Sequence, residues 1–100
     1  MEIKKVTEKY NFYKEGSDYI LDLGRIKKGE DTTTTLLFEN VDKLTVNSTC
    51  GCTVADRKDI DSKTVSYNIK YKNCDSQFSK ILVCQNNKEK FKIKIKGTCH

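Results

Sequence analysis

The sequence of 100 residues contains no proline, a single histidine and no long apolar run. Because no run approaches the roughly 20 apolar residues that a membrane-spanning helix requires, we predict no such span. The first residues, Met1 to Val6, lack the apolar core of a signal peptide, so we expect the protein to stay in the cell that makes it. Removal of a leader from a longer precursor would instead place it in the periplasm or cell envelope.

The scarcity of histidine argues against catalysis. The only histidine is His100, which we expect to be mobile at the end of the chain. A nucleophilic cysteine or serine needs an activating base, and no other histidine supplies one. The sequence also has no glycine-rich loop of the kind that cradles phosphates. We therefore predict that the protein is not an enzyme and binds no cofactor.

Short segments that alternate between apolar and polar residues dominate the sequence, and none keeps an apolar period of 3.6 residues. The clearest alternation runs from Val65 to Tyr71. Turn-like residues recur at roughly 8–12-residue intervals, which predicts one all-β domain, an antiparallel β-sandwich of about seven or eight strands. The polar stretch from Asp56 to Ser62 is predicted to be a loop. Because proline is absent, we expect the lysines of the last strand to protect a sheet edge.

Residues 48–54 read Ser-Thr-Cys-Gly-Cys-Thr-Val, with β-forming residues on both sides of a glycine. This pattern predicts two strands that meet at a corner. The five cysteines are an odd number, which favours free thiols in a reducing compartment over a disulfide framework. Cys50 and Cys52 are candidate ligands of zinc or copper(I), but their spacing gives a narrow bite. We favour structural thiols and no bound metal.

Four features in a fixed order carry a resemblance to a known family. They are Asp-Leu-Gly-Arg-Ile-Lys-Lys-Gly-Glu at 22–30, Phe-Glu-Asn at 38–40, Cys-Gly-Cys-Thr at 50–53 and Ile-Lys-Gly at 95–97. Together they resemble the bacterial and phage immunoglobulin-like domains of the ASPM-SPD-2-Hydin/MSP type that have a Cys-Gly-Cys-Thr motif. The link between the second and third features is shorter than in that family. The resemblance implies an immunoglobulin-like β-sandwich over residues 18–100, preceded by an N-terminal strand or docking arm at 1–17.

The resemblance also implies a function, because such domains are non-enzymatic binding or structural modules. Small size and the missing leader favour an auxiliary (decoration) protein of a phage capsid, of the kind suspected in crAss-like phages. Its partner would be the major capsid protein, and it would be found in the virion or the host cytoplasm. The alternative is a cell-envelope or periplasmic module in which the Cys-Gly-Cys corner binds metal or is redox-active.

Two groups of residues are the candidate partner-binding sites. Lysines alternate with apolar residues in the last strand, so we expect the lysines on a solvent-facing row and the apolar residues in the core. Such a row suits an acidic protein partner; nucleic acid is not expected, because no aromatic side chains interleave with the lysines on that face. Aromatic residues near the N-terminus form the second group. The candidates are Lys90, Lys92, Lys94 and Lys96 in the first group and Tyr10, Phe12 and Tyr13 in the second.

Overall fold

A computed structural model describes residues 1–49, 51–72 and 76–100 of the protein. Over these ranges the chain forms nine strands, and it offers no helix with the length and apolar character that a membrane span requires. The strands are β1 (Glu2–Lys5), β2 (Asn11–Glu15), β3 (Asp18–Ile26), β4 (Thr34–Glu39), β5 (Thr45–Ser48), β6 (Thr53–Asp61), β7 (Thr64–Tyr71), β8 (Phe78–Gln85) and β9 (Lys90–Cys99).

The strands form two sheets that pack face to face as an immunoglobulin-like β-sandwich. One sheet has four strands in the order β1-β4-β7-β6, and the other has five in the order β2-β3-β9-β8-β5. All neighbouring strands are antiparallel except β3 and β9, which run parallel. The predicted all-β sandwich is confirmed. It has nine strands rather than seven or eight, because the first 15 residues supply two strands and residues 53–61 supply another.

The side chains that alternate along each strand divide between the core and the outer surface. The residues of β7 from Val65 to Tyr71 show this most clearly, since every second side chain is buried. Two aromatic contacts join the core of the sandwich. Tyr71 stacks on Phe78 with ring centroids 4.0 Å apart, and Phe38 meets Tyr67 edge-on at 5.7 Å. Such pairs stabilise a core beyond the apolar area that they bury.

Two predictions about the sheet edges were wrong. The stretch from Asp56 to Ser62 is not a loop, because most of it belongs to β6, which pairs with β7 along its length. Both faces of β6 are exposed from Asp56 onward, so the apolar alternation that marks a strand is missing there. The lysines of β9 do not protect an edge either, because β9 lies between β3 and β8. The edge strand β6 instead has charged residues of both signs and a bulge at Asp59/Asp61.

The predicted corner around the Cys-Gly-Cys segment is confirmed by the sheet order. The chain leaves the five-stranded sheet at Ser48 and enters the four-stranded sheet at Thr53. Cys52 lies in the buried core at this crossing. Cys50 lies outside the described residues. The corner therefore connects the two sheets at the side where β5 and β6 form their edges.

The backbones of β3 and β9 approach each other closely where their pairing is interrupted. The register shifts between Asp22 and Gly24, and Gly24 adopts a positive φ of 64°, a conformation that glycine accepts readily. A Cβ atom on Gly97 of β9 would lie 2.7 Å from the Gly24 carbonyl oxygen and 2.8 Å from Cζ of Phe78. Only glycine fits at position 97 without displacing one of these neighbours.

We predict that Gly97→Ala destabilises the fold by about 1–3 kcal/mol, since the added methyl group collides with backbone and with a buried ring. The matched control is Gly51→Ala, because a Cβ there meets no atom of the described residues within 4 Å and the residue has no positive φ. Urea denaturation of the three proteins measures the difference. Equal midpoints for the two variants would contradict the close approach of β3 and β9.

Candidate functional site

The predicted row of lysines lies on the outer face of the five-stranded sheet. Phe91, Ile93 and Ile95 of β9 are buried, as predicted, and the intervening lysines point away from the core. Lys90, Lys92 and Lys94 are exposed, and Lys96 is half-buried. None of the four side chains lies within ion-pair distance of a carboxylate among the residues that the structure describes. Their positive charges are therefore free to meet a partner.

Strand register shows which residues flank the lysines on this face. On the β3 side, Asp22 lies beside Lys96 and Ile20 lies beside Lys94. Next to Lys92, the Asp18 carboxylate accepts a hydrogen bond from the Lys92 backbone N–H at 3.0 Å. On the β8 side, the residues opposite Lys96, Lys94 and Lys92 are Ser79, Ile81 and Val83. We call this surface the lysine face; its members are Tyr13, Glu15, Asp18, Ile20, Asp22, Ser79, Ile81, Val83, Lys92, Lys94 and Lys96.

The middle of the lysine face is apolar. Ile20 points outward but is only 6% exposed, because it lies with Ile81 at the foot of the lysine side chains, whose aliphatic stems shield apolar surface. A shallow depression of about 530 Å³ lies beside Ile20 and Ile81. It is lined by Asp22, Ser79, Lys94, Lys96 and Gly97. The face thus combines charged groups with partly covered apolar residues, and Lys94 lies between Ile20 and Ile81 at its centre.

The three N-terminal aromatic residues have different surroundings. Tyr13 of β2 is 41% exposed and pairs with Ile20, so it extends the apolar centre of the lysine face. Phe12 faces the opposite way and stacks on Tyr19 with centroids 5.5 Å apart and rings nearly parallel. Tyr10 donates a hydrogen bond from its hydroxyl to the Glu30 carboxylate at 2.7 Å. Tyr13 is therefore the member of this group that the fold brings together with the lysines.

The N-terminal residues Lys9 and Tyr10 contact the Glu30 carboxylate and stabilise its ionised form. The hydrogen bond from Tyr10, a second from Lys9 and one from the Lys27 backbone lower the pKa of Glu30 from 4.5 to about 2. A carboxylate whose pKa is lowered by folding stabilises the fold above its unfolded pKa and loses that effect as the pH falls through its folded pKa. Tyr10 holds the left-handed φ of 79° at this turn, so the contact also fixes how the chain enters β2.

We predict that Tyr10→Phe lowers stability at pH 7, where Glu30 is ionised, and that this loss shrinks as the pH is lowered from about 4.5 to about 2. Urea midpoints of the variant and the unaltered protein at pH 7 and pH 2 provide the measurement. Tyr13→Phe is the control, because Tyr13 is exposed and forms no hydrogen bond with the described residues through its hydroxyl. A difference for Tyr10→Phe that stays constant with pH would contradict this role of Glu30.

The described cysteines differ from the expectation of free thiols. Cys52 and Cys99 are each disulfide-bonded, whereas Cys84 is a free thiol in the core. A cysteine in a disulfide has no thiolate to offer a metal, which argues against the candidate ligand Cys52; the other candidate, Cys50, lies outside the described residues. Burial raises the pKa of Cys84 to about 12, which keeps it neutral and unreactive. Among the described residues, no group of three potential ligands is placed to hold a metal ion.

His100, which we expected to be mobile, forms hydrogen bonds with neighbouring residues. Its backbone N–H donates to the Ile26 carbonyl at 3.0 Å, and its carbonyl accepts from the Lys28 N–H at 3.1 Å. The Arg25 guanidinium donates to the imidazole Nδ1 at 3.2 Å. These bonds continue the parallel pairing of β3 and β9 beyond Cys99, which places the only histidine at one end of the sandwich as part of the sheet.

We predict that the three described cysteines react differently with iodoacetamide. In native protein without reductant, Cys52 and Cys99 stay unmodified because they are in disulfides, and Cys84 stays unmodified because it is buried and protonated. Addition of denaturant alone exposes Cys84, and denaturant with reductant exposes all three. Peptide mass spectrometry reads each site separately. Rapid native labelling of Cys52 would contradict the disulfide, and rapid native labelling of Cys84 would contradict its burial.

The residues that join the lysines on this face escaped sequence reasoning. Asp18, Asp22 and Ile20 lie on β3, which is about 70 residues from β9 in the sequence but adjacent in the sheet. The alternation in the sequence does indicate that these residues face outward, because they alternate along β3 with Tyr19 and Leu21, which face the core. The alternation does not show which strand lies beside β9, because that depends on the order of the strands in the sheet.

Comparison with known proteins adds support for the fold. No protein-family model and no curated protein matches this sequence. One similar solved structure is a crystal structure of domains 4 and 5 of the S-layer protein SbsC, with a TM-score of 0.53 and 10% sequence identity. The match covers 95% of this chain and 47% of that one, so the present chain spans about half the length of the solved structure. This likeness is consistent with an immunoglobulin-like β-sandwich. The resemblance to the Cys-Gly-Cys-Thr family stays a prediction.

Proposed function

We propose that the protein is a non-enzymatic interaction module that attaches to a larger protein assembly through the lysine face. The observation that carries this proposal is the row of three lysines, Lys92, Lys94 and Lys96, on a central strand, unpaired with the described carboxylates and adjacent to partly covered apolar residues. A surface with an apolar centre and charges around it has the general anatomy of a protein interface.

Binding at this face needs no chemical step. The lysine charges attract and orient a partner during approach, and the apolar centre around Ile81 and Tyr13 is removed from water once contact is made. The side chains that might otherwise be reactive have structural contacts: Cys52 and Cys99 are in disulfides and His100 is bonded to β3 and Arg25. These contacts support a passive role for the described part of the chain.

The disulfides support a setting outside a reducing cytoplasm. Disulfides persist at virion surfaces and in the periplasm, and they are rare in the cytosol. Our first candidate setting is the phage capsid, where the protein would be an auxiliary or decoration protein bound to the major capsid protein. The second candidate, an immunoglobulin-like module of the cell envelope or periplasm, is favoured by the same disulfides. Both settings use the lysine face in the same way.

The test follows the protein from its native source through a density gradient by mass spectrometry. We expect it to sediment with a megadalton particle or with envelope fragments, and the fraction that contains it distinguishes the two settings. A protein that runs free, near its mass of 11.5 kDa, would contradict attachment to an assembly.

We further predict that Lys92→Glu/Lys94→Glu releases the protein from the assembly, because the face then has the wrong sign for its partner. The matched control is Lys58→Glu/Lys70→Glu, which makes the same change in charge with exposed lysines of the four-stranded sheet. Comparison of bound fractions for the two variants is the measurement. Equal release by both would indicate an effect of net charge and exclude the lysine face as the docking surface.

A further inference from the structure

We infer that one partner of the lysine face is a second copy of this chain, bound through the same face. This inference rests on the proposed function, since it names an occupant for the same surface. It is argued from the arrangement of charges on the face, from its apolar centre and from its dimensions.

Charges of opposite sign form two adjacent columns on the lysine face. β3 presents Asp18 and Asp22 outward, and β9 presents Lys92 and Lys96 beside them. A third carboxylate, Glu15 of β2, lies on the acidic side, because it pairs with Asp18. The acidic column is next to the basic one, so a uniformly acidic protein surface or a nucleic acid would meet repulsion over half of the face. The best complement is a surface that also has one acidic and one basic column.

The face is its own complement under a two-fold rotation. Consider an axis that lies between two facing copies, parallel to the strands and midway between β3 and β9. This rotation places β3 of each copy over β9 of the other. Because the axis is parallel to the strands, each residue keeps its position along the strand direction. Asp22 then lies over Lys96 of the second copy, and Asp18 lies over Lys92 of the second copy. Four intermolecular ion pairs result, because each contact occurs twice. Between these two levels, Lys94 lies over Ile20 of the second copy.

The same rotation brings the apolar residues together. β2 and β8 lie at equal distances on either side of the axis, so Tyr13 is placed over Ile81 of the second copy. This accounts for the exposed ring of Tyr13 on the outer face of β2. Facing sheets pack roughly 10 Å apart with strands nearly aligned, which leaves room for the lysine stems between them.

The dimensions of the molecule permit such a dimer. Its extents are 40 × 24 × 23 Å. Five residues on each of the four strands from β2 to β8 cover roughly 17 × 15 Å, so the lysine face supplies only part of the roughly 800 Å² that each partner buries in a stable interface of standard size. Because ion pairs contribute to this interface, the dimer is expected to weaken as salt concentration rises.

The experiment uses two charge-reversal variants of the full chain. Asp18→Lys/Asp22→Lys makes both columns basic, and Lys92→Glu/Lys96→Glu makes both acidic. We expect the unaltered protein to be a dimer at low salt and each variant alone to be a monomer, with the dissociation constant raised about tenfold or more. An equimolar mixture of the two variants restores a 1:1 heterodimer, because each column then faces its opposite. Sedimentation velocity at low and high salt measures all three samples.

Controls separate loss of the interface from loss of the fold. Asp22 also accepts a hydrogen bond from the Gly24 N–H at 2.8 Å, so its replacement disturbs the β3 bulge. A second basic variant, Glu15→Lys/Asp18→Lys, leaves that bond intact, and circular dichroism with urea midpoints checks each protein. Lys58→Glu/Lys70→Glu is the matched variant that should remain dimeric.

Three outcomes would overturn the inference: a monomeric unaltered protein up to about 1 mM, folded variants that still dimerise alone, or a mixture of folded variants that stays monomeric. These outcomes are distinguishable from failure of the proposed function. A monomer that sediments with a large assembly keeps the proposed function and rejects the dimer, with a surface of another protein as the remaining occupant. A dimer that sediments free of any assembly keeps this inference and rejects the proposed function.

Discussion

The parallel pairing of β3 with β9 is the contact on which the rest of the structure depends. It joins an N-terminal strand to the last strand, and so connects β2 and β3 to β8 and β5 in one five-stranded sheet. The pairing requires glycine on both strands where the register shifts, because the Gly24 carbonyl occupies the space that a side chain at Gly97 would need. It also holds the end of the chain, since His100 bonds to Ile26 beyond the last paired residues.

This pairing also produces the surface that we assign to binding. Lysines at alternate positions of a strand are ordinary where one face of a sheet is solvated. What distinguishes β9 is its neighbour, because β3 presents carboxylates at the level of Lys92 and Lys96. The result is a face with two columns of opposite charge around a partly covered apolar centre. Such an arrangement selects among partners, because a surface of a single sign meets repulsion as well as attraction.

The opposite side of the sandwich is organised to prevent association. β6 is a long edge strand with exposed backbone, which in principle offers a template for another strand. It presents charges of both signs, has a bulge at Asp59/Asp61, and its Arg57 side chain donates a hydrogen bond to the Leu44 carbonyl of the neighbouring sheet. Protection of this edge by charge replaces the proline that the sequence lacks. One sheet therefore has an edge protected by charge, and the other has the face that we propose for docking.

The sequence by itself determined the local features of the protein. Alternation identified the inward residues of β7 and β9, and the recurring turn-like residues predicted the short strands of an all-β sandwich. These features are readable because the direction of a side chain in a strand depends only on its neighbours in the chain. The tertiary structure alone decided that β3 lies beside β9, that the polar stretch after Asp56 is a strand, and that Cys52 and Cys99 are in disulfides. β3 lies beside a strand that is far away in the sequence, the stretch after Asp56 is recognisable as a strand only through its pairing with β7, and the disulfides depend on which cysteines the fold brings together. The local periodicity of the sequence contains none of this information.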